Sequence, residues 1–106
     1  MTRTKLLAKI RQVFPGHDPE DVQRVLDEYA GPERLRVHLA ILKLCDEDRR
    51  DSPRHYVDSA CQDHRDVLAW AESPQQLRPD WFSLSVTERA KVAKADRQQY
   101  ARWLAR

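Results

Sequence analysis

Apolar positions recur at helical spacing in five stretches of this chain, separated by short polar breaks. Leu6, Leu7, Ile10, Val13 and Phe14 share one helix face, with Lys5, Lys9 and Arg11 between them, and Pro15-Gly16 stops the run. Asp18-Pro19-Glu20-Asp21 then supplies an N-cap, a proline at the first helical position and acids against the positive end of the helix dipole. The stripe Val22, Val25, Leu26 and Tyr29 follows, closed by Ala30-Gly31-Pro32 with a glycine where a left-handed residue is wanted. From Pro32 to Cys45 the apolar residues wrap most of the circumference, which predicts a central helix surrounded by others. Asp46-Glu47-Asp48-Arg49-Arg50-Asp51 has nothing apolar to bury and reads as a solvated loop.

Ser52-Pro53 restarts the backbone as cap and first helical residue, and the stretch to Glu72 places Val57, Ala60, Cys61, His64, Val67, Leu68 and Ala71 on one face. Residues 74–85 read as an ordered connector in which Leu77, Trp81, Phe82 and Leu84 pack onto the rest. Ser85-Val86-Thr87-Glu88 matches a capping box, opening a last helix whose stripe of Val86, Ala90, Ala93, Tyr100 and Leu104 is thin and rich in small residues. Such a helix docks at the periphery or takes apolar cover from a second subunit. The pattern predicts an all-α fold, a compact bundle of about five helices over approximately 3–14, 19–30, 32–45, 53–72 and 86–105, in a single domain of residues 1–106.

Composition narrows this reading. A chain of 106 residues buries one modest core, and a hydrophobic content of 41% places it well away from disordered chains. Charge is uneven: residues 1–17 carry four bases and no acid, 18–80 carry 15 acids and 9 bases, and 81–106 carry six bases and two acids. Basic ends around an acidic middle suit contacts within or between chains as well as an anionic partner. There is no leader-like segment and no run of eighteen apolar residues, so the expectation is a cytoplasmic protein with no membrane partner and with Cys45 and Cys61 as free thiols.

Three kinds of chemistry have candidate residues on these elements. His38, Cys45, Cys61 and His64 offer a ligand set that zinc accepts, but Cys61 and His64 are three apart and His38 and Cys45 seven apart, unlike short-loop metal sites. No metal and no cofactor is expected, with Cys61/His64 kept as a second alternative, a metal or thiol site. Asp58, Asp63, Asp66 and Glu72 lie along helix four with bases in reach, such as Arg54 before Asp58, and no third group orients a Cys61–His64 pair, so no catalytic residue and no enzyme is expected. Helices two and three resemble a helix-turn-helix in spacing, yet helix three lacks a polar face and the middle of the chain is acidic, which disfavours a nucleic-acid partner. That reading survives as the first alternative, through the basic terminal helices with Lys5, Lys9, Arg11, Lys91, Lys94, Arg97 and Arg102. The leading expectation is a small non-enzymatic protein-interaction or self-association module. Trp70, Tyr100 and Trp103 are its candidate partner-binding residues, with Trp70 the exposed one and Trp81 a core anchor.

Two resemblances add to this. Phe14-Pro15, the Val22-to-Tyr29 stripe and Gly31 before another apolar helix resemble the ubiquitin-binding CUE-type three-helix domains over under a third of the chain. Helices four and five have no counterpart in that family. Arg65-Asp66-Val67-Leu68-Ala69-Trp70-Ala71-Glu72, followed by Asp96-Arg97-Gln98-Gln99-Tyr100 and Trp103-Leu104, resembles small all-helical bacterial proteins of uncharacterised function. That resemblance implies a bacterial cytosolic source and carries no activity.

Overall fold

A computed structural model of the chain describes residues 3–48 and 52–106, and among them the regular structure is entirely helical. Helix α1 (Arg3–Val13) leads through Pro15-Gly16 to α2 (Pro19–Leu26), whose cap Asp18 accepts a hydrogen bond from the Glu20 N–H at 3.0 Å. α2 is shorter than the sequence predicts. Beyond Leu26 the chain tightens into i→i+3 bonds, with the Tyr29 N–H donating to the Leu26 carbonyl at 3.0 Å. Tyr29 still reaches the core, and its hydroxyl donates to the Pro32 carbonyl at 2.6 Å.

Gly31 serves close approach and not handedness. A Cβ on it would stand 2.9 to 3.1 Å from the Tyr29 ring and hydroxyl, while the left-handed residue of this turn is Glu33, with φ 53°. α3 (Arg34–Glu47) therefore starts two residues later than expected and carries no side-chain cap. It also runs two residues further, into the acidic segment, where Lys43 pairs with Glu47 one turn on. The remainder of the expected loop, Arg49 to Asp51, lies outside the described residues. Every residue from Val37 to Cys45 is buried, as a helix apolar all round requires.

α4 (Pro53–Glu72) has the expected bounds but is not one continuous helix, because Asp63 takes extended angles (φ −156°, ψ 102°). Its carboxylate accepts from the Arg65 N–H at 3.0 Å, so Asp63 acts as the N-cap of a second helical segment inside α4. The break opens the predicted face at its middle. Val57 and Ala60 before it and Val67, Leu68 and Ala71 after it are buried, whereas Cys61 is exposed and His64 only partly covered. Two short 3-10 turns, Pro74–Leu77 and Trp81–Ser83, lead to α5 (Val86–Ala105), which opens on the predicted capping box of Ser85 and Glu88.

The core lies between α3 and α4, the most extensive pairing, with α1 and α2 covering the other flanks. α5 is attached along its length, by Arg89 to the second 3-10 turn, by Gln99 to the Ala71 carbonyl, and at two buried residues. Near its middle Asp96, with no exposed surface, accepts from the Gln75 N–H and from the Gln76 amide, both at 3.2 Å, and so holds the first 3-10 turn. At its end Trp103 enters the core. The predicted stripe is covered only in part: Val86 and Ala90 face solvent, Ala93, Tyr100 and Leu104 are half-buried, and the fully buried residues are Asp96 and Trp103. The radius of gyration is 14.5 Å, above the roughly 13 Å of an ideally compact chain of this length, in keeping with one long axis of 46 Å. No helix among the described residues is long and apolar enough to cross a membrane.

Candidate functional site

The four metal-candidate side chains fall in different surroundings. Cys45 is buried in α3 and Cys61 is exposed, and no group of three or more His, Cys, Asp or Glu among the described residues is placed to hold a metal ion. Cys61 and His64 do share a groove of about 550 Å³, walled by Tyr29, Gly31 and Asp63 beside the break in α4. His38 does not line that groove but also stands beside Tyr29, the imidazoles of His38 and His64 lying 6.4 and 6.3 Å from its ring. His38 is buried, with Nε2 3.0 Å from the Tyr29 carbonyl, and burial pushes its pKa below the usual histidine value. The imidazole is thus held neutral, its Nε2–H donating to that carbonyl. The same burial raises the pKa of the Tyr29 hydroxyl.

The three aromatic candidates separate. Trp70 is 39% exposed, as its position at the edge of the α4 face predicts. Trp103 is 5% exposed and is a core residue instead of a contact on the surface. Its indole N–H donates to Asp46 at 2.9 Å, its carbonyl accepts from Lys9, and the Lys9 ammonium lies 4.3 Å from the ring centre. Arg106 completes this clamp, 3.3 Å from the Asp46 carboxylate, so the end of α5 is tied to α1 and α3 together. Tyr100 stacks at a tilt 5.9 Å from Trp103, half-covered, and its hydroxyl has no hydrogen-bond partner among the described residues. Burial raises the pKa of that hydroxyl.

The largest exposed apolar side chains lie where the sequence predicts packing. Phe82 is 85% exposed, Val86 82% and Leu77 52%, all on the connector and the first turn of α5. Only Trp81 and Leu84 of that segment turn partly inward. The cause is local: Trp81 and Phe82 are consecutive residues of a three-residue 3-10 turn, where neighbours point apart, so both cannot enter one core. Arg89 fixes the turn, donating from Nε to the Trp81 carbonyl at 3.1 Å and from Nη2 to the Phe82 carbonyl at 2.9 Å, with its guanidinium 5.8 Å from the Phe82 ring centre. The rim is internally neutralised. Arg78 forks onto Asp80, and Glu88 is taken up by the capping box.

Comparison with protein-family models, curated proteins and solved structures finds no match for this chain.

Proposed function

We propose that this chain is a non-enzymatic self-association module that pairs with a second copy of itself through the apolar surface of Phe82, Val86 and Leu77. The single observation behind this reading is the exposure of Phe82 and Val86 together, on a segment pinned by Arg89 and by the Asp96 carboxylate. Single exposed apolar residues are ordinary. Three within ten residues of chain, on two ordered turns and the helix start that follows them, are the kind of surface that partners cover. A two-fold contact sets the same patch against itself, so any unbalanced charge on its rim would meet its own kind. Arg78 is paired with Asp80, and Arg89 and Glu88 carry opposite charges, so the rim has no net charge to repel its own copy. The area is small, so the affinity expected is weak, with a Kd of about 100 µM.

Proton–nitrogen correlation spectra over a dilution series test the reading. The expected result is concentration-dependent shifts of the amides between 77 and 89, with the α3 amides unmoved. Spectra that stay constant with concentration, or that change only outside this segment, would overturn it.

A further inference from the structure

A different surface carries a second inference, independent of the first. Arginines over most of the molecule sit against carboxylates: Arg24 on Asp21, Arg34 on Asp27, Arg54 on Glu28, Arg65 on Asp63. α5 departs from this. Its buried side is marked by Asp96, Trp103 and Arg89, and at 100° per residue the opposite side carries Lys91, Lys94, Arg97 and Arg102, all exposed. Lys94, Arg97 and Arg102 make no ion pair or side-chain hydrogen bond among the described residues, and Lys91 feels only the field of Glu88. The helix has two acids: Glu88, committed to the capping box, and Asp96, buried against the first 3-10 turn. Across a groove at the end of α5, Arg11 of α1 faces Leu104 and Arg106.

We infer that the outer face of α5 is a binding surface for the phosphate backbone of nucleic acid, without readout of base sequence. Residues 18–80 keep their net acidity, 15 acids against 9 bases, but none of those acids lies on α5, and Asp21, Asp27, Glu28 and Asp63 are each held by an arginine. A protein partner would want an aromatic or aliphatic anchor at the centre of the contact. Here the residues between the cations are Ala90, Gln98, Ala101 and Ala105, small or polar, which lets a charged backbone approach the helix closely and gives an apolar partner nothing to bury.

Fluorescence anisotropy with a labelled DNA duplex of about 20 base pairs tests the inference, with the full chain. Four cations on four phosphates predict a slope of log affinity against log salt of about −3.6, hence a loss of about a hundredfold between about 50 and about 200 mM salt. The triple variant Lys94→Glu, Arg97→Glu, Arg102→Glu should bind at least about tenfold more weakly and flatten that slope. A second triple variant, Arg3→Glu, Arg24→Glu, Arg65→Glu, changes net charge equally at paired surface sites and should bind almost as the wild type does. Circular dichroism checks that all three chains are helical. Three results would each overturn the inference: no binding at low salt, equal loss in the two triple variants, or displacement of the duplex by poly-glutamate as readily as by unlabelled DNA. The last would assign the face to an acidic protein.

Discussion

Trp103 and Trp70 have the same side chain and unequal expected consequences. Trp103 is sealed against Lys9 and bonded to Asp46, so Trp103→Ala should cost about 3–5 kcal/mol by urea denaturation. Trp70→Ala, at a site 39% exposed, should cost less, about 1–2 kcal/mol. Gly31 gives a finer test. An added methyl would press on a tyrosine ring held at its far end by Pro32, and Gly31→Ala should lower stability by about 1–3 kcal/mol. His38 supplies the pH dependence. An unfolded histidine takes up its proton near pH 6.5, while His38 does so only at lower pH because burial disfavours its charge. The unfolded state therefore binds more protons, so this contribution is complete above about pH 6.5 and is lost as the pH falls below it. Melting temperatures at about pH 7.5 and pH 5.5 should differ more in the wild type than in His38→Gln. Little of this was legible residue by residue. A glycine after a helix signals a left-handed turn, and only the folded path shows that Tyr29 lies over Gly31 and that Glu33 takes the left-handed angles.

At the level of elements two of the three predicted N-cap side chains were legible, while Ser52 makes no side-chain cap bond to α4. Asp18 and the Ser85/Glu88 box stand where the sequence places them, because a cap is a local bond between residues two or three apart. Ser85→Ala should lower stability by about 1 kcal/mol, read from the midpoint of a denaturation curve. The break in α4 left no comparable signal, since an aspartate among helix formers reads as surface charge until its angles are seen. That break moved Cys61 out of the predicted face, and the groove it shares with His64 follows from it. The stripe of α5 misled for another reason. Periodicity counts apolar residues, whereas this helix is anchored by a buried carboxylate and one tryptophan.

For the whole molecule, the fold class was the most secure reading of the sequence: five helices, α3 at the centre, α5 at the edge. The surface was the least secure. The connector was expected to pack inward, and the tight turn at Trp81–Ser83 instead leaves Phe82 and, beyond it, Val86 facing out. Sequence pattern reports how much apolar material is present, but the direction of two adjacent side chains depends on a turn only three residues long. The central claim is that this surface joins two copies of the chain. Solution mass by light scattering, from micromolar to millimolar protein, addresses it directly when the wild type is run beside Phe82→Asp/Val86→Asp. The account predicts a mass that climbs toward twice that of the monomer for the wild type, and a helical variant that stays monomeric throughout. A wild type that remains monomeric at the highest concentration, or a variant that dimerises equally well, would contradict it.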